Sequence, residues 1–397
     1  MAREWLAGRR RSDSRAPLQR RERHRARLAE RRRSTPLQTP RLFSENVETS
    51  RQVDGTRLYP PQQRADALRG LTKLAPGVGN VDLADRPEPS PAPGHVVLAV
   101  VAAGICGTDL HIYDGEYASR PPVTMGHEVS GVVADLGEGV EASWQDARVV
   151  TETYFSTCGH CGHCRGNRIN LCLERRSIGS FADGGFAPRL HVPVRNLHRI
   201  PDWLDGAAAS MAEPLACCCQ SLLDPDRVGP GDAALVVGPG PIGLLAAQVA
   251  RAAGAEVHVR GTPRDANRLA AARSLGFTTS TTEEGSAGAF DVVVECSGHE
   301  AGMAFALESA RRGARYVQIG LAGKPVAIPF DLVCFGELTV TSGNASTPAS
   351  WARALELIRE RRVELEPLLT AAVPLEEWAQ AFESTRAGGG IKYVLVP

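Results

Sequence analysis

The sequence has neither a net charge nor a long apolar run, and each absence excludes a class of partner. Its 45 Lys and Arg residues equal its 45 Asp and Glu residues in number, so the whole chain offers no excess charge for nucleic acid or an anionic membrane. No apolar run approaches the roughly 18 residues that a membrane span needs, and no apolar signal-peptide core is present. We therefore expect a cytoplasmic protein that binds neither nucleic acid nor a membrane.

The positive charge is nevertheless concentrated at one end of the chain. Residues 1–50 hold 14 Arg against 6 Asp and Glu, and residues 1–62 contain too few aliphatic clusters to form a core. We expect this Arg-rich extension to be disordered. It could be a targeting presequence, a nucleic-acid-binding arm or a spurious upstream extension of the reading frame. The last is favoured because the folded pattern begins cleanly near Arg69.

Two patterns of secondary structure follow the extension. Short strand-like runs separated by prolines predict a β-rich domain from Arg69 onward. After Ala233, strands alternate with helices, which is typical of an α/β protein with a doubly wound parallel sheet. The predicted strands are Ala234–Val237, Glu256–Val259, Asp291–Val294, Ala314–Ile319, Leu338–Thr341 and, at the end of the chain, Ile391–Val396. The predicted helices are Ile242–Ala253, Asp265–Leu275 and Pro348–Arg361.

Four of the ten cysteines are closely spaced in the pattern C-x2-C-x2-C-x7-C. They are Cys158, Cys161, Cys164 and Cys172. Two-residue spacers let neighbouring thiolates converge on one tetrahedral ion, and four sulfurs leave no open coordination position. We therefore predict a structural zinc in a lobe of about residues 157–173. The alternative is a cluster of reduced thiols, with His160 and His163 as other ligands.

A second set of metal-binding residue types lies in two short segments. Cys106, His127 and the Glu128 carboxylate can hold a zinc ion with few protein ligands and leave one position open, as a catalytic zinc requires. Taken singly, these residues could be a buried small hydrophobe, a core histidine and a surface acid. Together they predict a catalytic metal centre.

A glycine-rich turn joins a predicted strand to a predicted helix. Its backbone amides and the helix N-terminus can face a pyrophosphate, so the turn predicts a nicotinamide dinucleotide site. The residues expected to bind the cofactor here are Gly238, Gly240, Pro241, Ile242 and Gly243.

The next strand ends without the acid that NAD enzymes place about 20 residues beyond the first glycine. Gly261, Thr262 and Arg264 stand there instead, and a hydroxyl with nearby arginines suits a 2'-phosphate. The sequence therefore favours NADP over NAD. The alternative is NAD with weaker ribose contacts, in which case the arginines are solvated surface charges.

These motifs occur, with Gly184-Gly185-Phe186-Ala187 and Glu213-Pro214-Leu215-Ala216, in the order found in the medium-chain zinc alcohol dehydrogenases. From about Arg69 to the C-terminus the sequence resembles the branch that contains sorbitol (L-iditol), butanediol and threonine dehydrogenases. The resemblance implies a β-rich, GroES-like (chaperonin-10-like) catalytic domain of residues 63–216 and 347–397, with a Rossmann domain of residues 217–346 inserted.

The resemblance also implies roles for individual residues. Cys106 and His127 would be zinc ligands, and Glu128 would be a ligand or an alternate ligand. Glu213 would bind the metal or its water. Thr108 and His111 would form a relay that carries the substrate proton to solvent.

The function that follows is zinc-dependent hydride transfer between a secondary alcohol, polyol or cyclitol and NAD(P), with two zinc ions per chain. We expect the chain to act on a small molecule as a homodimer or homotetramer. The alternatives are an NADPH-dependent carbonyl reductase, a threonine-type amino-alcohol dehydrogenase and, from another class, a zinc scaffold or a nucleic-acid binder using the basic arm.

Gly343-Asn344-Ala345 replaces the Arg-Tyr pair of sorbitol dehydrogenases, which argues against sorbitol itself. Cys217, Cys218 and Cys219 are expected to pack in a buried helix.

Overall fold

A computed structural model describes residues 68–281 and 288–397; the expected disordered extension of residues 1–62 lies outside them. The strands are β1 (Leu68–Lys73), β2 (Val81–Arg86), β3 (His95–Gly104), β4 (Val123–Thr124), β5 (Glu128–Leu136), β6 (Arg148–Thr151), β7 (Tyr154–Ser156), β8 (Arg176–Ser177), β9 (Arg189–Pro193), β10 (Leu197–Arg199), β11 (Ala233–Val237), β12 (Glu256–Arg260), β13 (Thr278–Ser280), β14 (Phe290–Glu295), β15 (Ala310–Gln318), β16 (Thr339–Ser342), β17 (Leu369–Pro374) and β18 (Lys392–Val396). The α-helices are α1 (Gly107–Tyr113), α2 (Gly162–Arg165), α3 (Gly206–Ala209), α4 (Ala212–Leu223), α5 (Pro241–Ala252), α6 (Ala266–Ser274), α7 (Glu300–Ser309), α8 (Asp331–Gly336), α9 (Pro348–Arg359) and α10 (Trp378–Arg386).

The β-rich part of the protein contains a seven-stranded sheet that includes the last strand of the chain. Its order is β10-β6-β5-β3-β18-β17, and β9 also pairs with β3. At the carboxyl end of β3, Gly104 lies opposite Glu128 on β5 and opposite Val394 on β18. The end of β3 is therefore flanked by strands from distant parts of the sequence.

The predicted doubly wound sheet is confirmed. Its six strands run in the order β13-β12-β11-β14-β15-β16, and each neighbouring pair is parallel, as in dinucleotide-binding sheets. Leu235 and Val237 on β11 face one apolar core, whereas Ala234 and Val236 face the other. Both faces are covered, so β11 is apolar without interruption.

The larger core packs α4, α5 and α9 against one face of this sheet. Cys218 and Cys219 are fully buried in it beside Trp351, so the expected packing role is confirmed for these two cysteines. The expected division between residues 216 and 217 falls inside α4, which runs unbroken from Ala212 to Leu223. The domain bounds themselves remain predictions.

The predicted strands and helices of the parallel sheet are found within a few residues of their expected ends. Strand β13 was not predicted because its sequence, Thr278–Ser280, is short and polar; its pairing with β12 alone defines it. Helices α7 and α10 and strand β17 were also missed. Within the described ranges, no helix has the length and apolar character that crossing a bilayer requires.

Candidate active site

Three of the four residues expected to hold the catalytic metal converge beside the end of β3. Cys106 is the N-cap of α1, Glu128 is the first residue of β5, and His127 immediately precedes it. One potential ligand atom of each lies within 4.8 Å of the others. A thiolate, an imidazole and a carboxylate are the donor types that zinc takes in proteins. The chemistry of this set therefore fits a zinc ion.

Asp109 connects two of these residues, a contact that sequence reasoning did not predict. Its side chain is fully buried, and the Cys106 N–H donates to its Oδ2 at 2.9 Å. Its Oδ1, which makes no hydrogen bond with any described residue, lies 3.8 Å from His127 Nδ1. A carboxylate beside Nδ1 leaves Nε2 of the imidazole to face a metal.

The electrostatics of His127 also favour a cation in this site. Burial lowers the pKa of His127, but the Cys106 thiolate and Asp109 outweigh it, so that pKa lies well above its usual range. The imidazole is therefore held among negative groups. A bound cation would replace its proton and satisfy the same charges.

Glu213 lies near this group but outside the 4.8 Å set. It occupies the first turn of α4 and is buried, and the Thr153 hydroxyl donates to its Oε1 at 2.8 Å. Burial raises the pKa of Glu213; Glu128 raises it further, whereas His127 and Thr153 oppose the change. Thr153 was not singled out from the sequence, because a threonine after a strand carries no signal of its own.

Cys217 borders the same group, and the packing role expected for it remains a prediction. Its side chain is half-buried, and its Sγ lies 3.5 Å from Glu213 Oε1. One helical turn separates the two residues, which places both on one face of α4. Burial and Glu213 together raise the pKa of the Cys217 thiol well above its usual range, so it is a neutral thiol beside the site.

A buried lysine from the last strand neutralises Glu128. Lys392 Nζ donates to Glu128 Oε1 at 2.7 Å and to the Ile105 carbonyl at 2.9 Å, and it also contacts Glu128 Oε2. A Cβ on Gly104 would lie 2.2 Å from that carboxylate, so only glycine fits there. No local pattern predicts the pair, because 264 positions separate its members.

The two expected relay residues follow Cys106 on α1. Thr108 Oγ1 lies 3.7 Å from Cys106 Sγ. His111, one turn further along the helix, is at the surface, where its Nδ1 lies 2.7 Å from Glu116 Oε2. Thr108 and His111 are three residues apart, so both side chains lie on one face of α1. This face extends from the metal-binding set to solvent. Their roles in proton transfer remain predictions.

The four cysteines expected to bind a structural zinc also converge. Ligand atoms of Cys158, Cys161, Cys164 and Cys172 all lie within 4.8 Å of one another. Backbone N–H groups of Cys161 and Cys164 point at Cys158 Sγ and Cys161 Sγ, each at 3.4 Å, an arrangement that favours thiolates. His160 forms a second possible group with Cys158 and Glu174, but His160 and Glu174 are both exposed. The four-thiol set fits zinc better.

The glycine-rich turn has the geometry that a pyrophosphate requires. Gly238 has a φ of +97°, and a Cβ on Gly243 would lie 1.9 Å from the Gly238 carbonyl. Gly240 is the N-cap of α5, and Pro241 and Ile242 form its first turn. A Cβ on Gly240 would meet no protein atom within 4 Å. The turn therefore opens directly in front of the helix N-terminus, where anions bind.

The end of β12 differs from the expected arginine-rich phosphate site. Thr262 and Arg264 are exposed, but the Asp265 carboxylate accepts from both the N–H and the hydroxyl of Thr262, at 2.9 and 2.7 Å. Arg260 is buried, with its guanidinium 3.5 Å from the centre of the Phe305 ring. Arg264 is thus the arginine of this turn that solvent can reach.

Replacing Gly240 with alanine tests the cofactor turn. The φ of −70° at Gly240 suits any residue, so we expect the melting temperature to stay within about 2 °C of the wild type. The added methyl group would occupy the space in front of α5, so the Kd for NADP or NAD should rise at least about tenfold. Gly229→Ala, at another open position, is the control. An unchanged Kd would exclude this turn as the pyrophosphate site.

Two family comparisons cover most of the described chain. Residues 92–202 match the family of the alcohol dehydrogenase GroES-like domain, and residues 241–360 match the family of zinc-binding dehydrogenases. A sorbitol dehydrogenase from Halalkalibacterium halodurans is 35% identical over 342 residues, which cover 83% of this chain and 99% of that protein.

Solved structures have the same fold. A zinc-binding dehydrogenase from Sinorhizobium meliloti 1021, bound to NADP, has a TM-score of 0.77 and is 31% identical, covering 84% of this chain and 100% of that one. An alcohol dehydrogenase from Escherichia coli CFT073, complexed with NADH, has a TM-score of 0.75 and is 26% identical, with coverage of 84% and 100%. The expected combination of a GroES-like and a Rossmann domain is confirmed. The chain belongs to the medium-chain zinc-dependent alcohol dehydrogenases.

Proposed function

We propose that the protein oxidises a secondary alcohol or polyol, or reduces the corresponding ketone, at the centre formed by Cys106, His127 and Glu128. The observation that carries the proposal is that α4 connects this centre to the cofactor turn. Glu213 lies at the start of α4, and Cys218, five residues later, has its Sγ 3.5 Å from the Ile242 carbonyl in α5. Five helical residues rise only about 7.5 Å. Metal-binding and nucleotide-binding groups are therefore close enough to share one substrate.

A second contact supports the same arrangement. The loop that follows β15 reaches α1, since a Cβ on Gly323 would lie 3.6 Å from the His111 ring. The parallel sheet and the metal-binding part thus meet on this side as well. A substrate held between them would be shielded from water, which strengthens electrostatic interactions with the reacting groups.

The residues of the centre have different roles in the proposed reaction. When bound at these residues, zinc would lower the pKa of a substrate hydroxyl, and the nicotinamide would accept the hydride from the carbon that bears this hydroxyl. Thr108 Oγ1 would accept the hydroxyl proton while its own proton passes on towards His111, which would release a proton at the surface. Lys392 and Asp109 hold Glu128 and His127 in place. Glu213 accepts a hydrogen bond from Thr153. It lies near the centre and keeps the surroundings of the metal-binding residues polar.

We further propose two zinc ions per chain with different roles. The four cysteines of residues 157–173 would enclose one ion completely, which suits a structural site. The centre at Cys106 has a carboxylate engaged by Lys392 and leaves a coordination position for substrate. The second ion would therefore be the catalytic one.

We propose NADP as the preferred cofactor. The exposed Arg264 and the Thr262 hydroxyl support this preference, as does the NADP bound to the relative from S. meliloti. Asp265 opposes it, because its carboxylate lies against Thr262. Arg268, 3.6 Å from Asp265 Oδ1, offsets part of that negative charge.

A panel of neutral diols, polyols, amino alcohols and cyclitols, run in both directions with NAD and NADP, tests the proposed function. We expect secondary alcohols to be oxidised, with kcat/KM for NADP at least about tenfold above that for NAD. Metal analysis of the same preparation should find two zinc ions per chain. Absence of turnover with every alcohol and ketone would overturn the proposal, and a preference for NAD would overturn only the cofactor assignment.

A further inference from the structure

A buried tyrosine beside the metal-binding group donates its hydroxyl proton to no described residue. Tyr154 opens β7, directly after the Thr153 that holds Glu213, and only 4% of it is exposed. Its hydroxyl makes no hydrogen bond with the described residues, although the backbone amide of Ser346 is a potential donor to it. Buried hydroxyls are normally satisfied. The phenol O–H of Tyr154 is therefore free to donate to a ligand.

The surroundings of this hydroxyl keep it protonated. Burial raises the pKa of Tyr154, and the nearby Cys217 and Glu213 raise it further, whereas Arg175 opposes them. The phenol therefore lies near two acidic groups of the candidate centre, Cys217 and Glu213, and near the guanidinium of Arg175. It acts as a donor across the whole neutral range.

Arg175 lies over the Tyr154 ring, with its guanidinium carbon 5.6 Å from the ring centre. Its Nη1 donates to the Asn170 carbonyl. The Tyr154 ring and the Asn170 carbonyl are both uncharged. These two neighbours therefore do not neutralise the positive charge of the guanidinium. A planar guanidinium has five N–H donors, of which this contact uses one.

A third polar side chain near Arg175, that of Asn170, also has an atom without a hydrogen-bond partner among the described residues. Asn170 is fully buried, and its Nδ2 donates to the Asn344 carbonyl at 2.9 Å. This bond fixes the amide, yet its Oδ1 makes no hydrogen bond with any described residue. Asn344 belongs to the segment that has Gly343-Asn344-Ala345 where sorbitol dehydrogenases have an Arg-Tyr pair. Asn170 thus connects this segment, which has no arginine, to Arg175.

We infer that Tyr154 and Arg175 form a subsite for an oxyanion at the far end of the hydroxylated substrate, either a phosphate monoester or a carboxylate. The inference rests on the proposed function. The reacting carbinol belongs beside Cys106 and Glu213, where the surroundings are acidic and repel an anion. Arg175 instead places a guanidinium over the Tyr154 ring, beside a phenol O–H that donates to no described residue. Charged hydrogen bonds of a guanidinium to phosphate or carboxylate are among the strongest in proteins.

Three probes with the same six-carbon chain test the subsite: sorbitol, sorbitol 6-phosphate and gluconate. In the wild type, kcat/KM for one of the two anions should exceed that for sorbitol at least about tenfold. Arg175→Gln should lower the ratio of anion to sorbitol by about tenfold to hundredfold. Tyr154→Phe should lower it about fivefold. Which anion is preferred distinguishes a phosphate from a carboxylate substrate.

Arg176→Gln is the matched control, since Arg176 is the exposed neighbour whose guanidinium lies 5.4 Å from the Phe181 ring centre. We expect its anion-to-sorbitol ratio to equal that of the wild type. The melting temperature of each variant reports its folding. A wild type that prefers sorbitol over both anions, or an Arg175→Gln variant with an unchanged ratio, would overturn the subsite and leave the dehydrogenase intact. Absence of turnover with every alcohol would overturn the proposed function, and the subsite with it.

Discussion

Replacing Cys106 with serine is expected to lower the zinc content from about two ions per chain to about one and to reduce turnover at least about a thousandfold. The thiolate is the softest ligand of the centre, and a neutral serine hydroxyl does not replace its charge. His127 and Glu128 would remain, but Glu128 is engaged by Lys392. A two-residue set does not hold zinc tightly. Metal analysis and steady-state kinetics on the same preparation measure both effects.

Two other cysteine variants serve as controls for Cys106→Ser. Cys334 is exposed, so Cys334→Ser should keep both zinc ions and full activity. Cys161→Ser should also lose one zinc ion, but from the four-cysteine lobe, and should lower the melting temperature more than Cys106→Ser does. A Cys106→Ser enzyme that keeps two zinc ions and wild-type turnover would remove this residue from the catalytic centre.

Replacing Lys392 with methionine is expected to destabilise the metal-free protein by about 3–5 kcal/mol, because it leaves the buried Glu128 carboxylate without its cation. The zinc-loaded protein should lose much less stability. With Lys392 gone, Glu128 is free to bind the metal, so zinc should dissociate more slowly and the position for substrate should close. Urea unfolding with and without zinc, together with zinc release to a chelator, measures these changes.

A double-mutant cycle with Glu128→Gln separates the charge effect from packing. If the pair is the cause, adding Glu128→Gln to Lys392→Met should restore part of the lost stability, so that the two changes are far from additive. It should also return the rate of zinc release toward the wild-type value. Additive losses, or equal destabilisation with and without zinc, would mean that Lys392 acts only by filling space between β3 and β18.

Residues close in sequence were the ones that could be predicted to act together. The spacing of Cys158, Cys161, Cys164 and Cys172 is short enough that few chain conformations separate the thiols, and the structure brings them together. The turn at Gly238–Gly243 is similarly local, because its strand, glycines and helix follow one another. Cys106, His127 and Glu128 required the resemblance as well, since the helix α1 and the strand β4 lie between Cys106 and His127.

The residues that sequence reasoning missed all act across long separations or through unremarkable residue types. Asp109 completes a capping box with a cysteine N-cap, which composition does not reveal. Thr153 and Glu213 meet only because the end of β6 lies beside the start of α4. Tyr154 and Arg175 are ordinary residues in the sequence, and only burial and missing hydrogen bonds distinguish them.

The sequence by itself determined the α/β class, most strands of the parallel sheet, the four-cysteine group and the cofactor turn. Each depends on apolar periodicity or on spacings of a few residues, which constrain the backbone directly. The tertiary structure decided which charged side chains contact one another. Strand β18 had to pair beside β3 before Lys392 could reach Glu128, and register in a sheet is set by packing of whole faces rather than by any local signal.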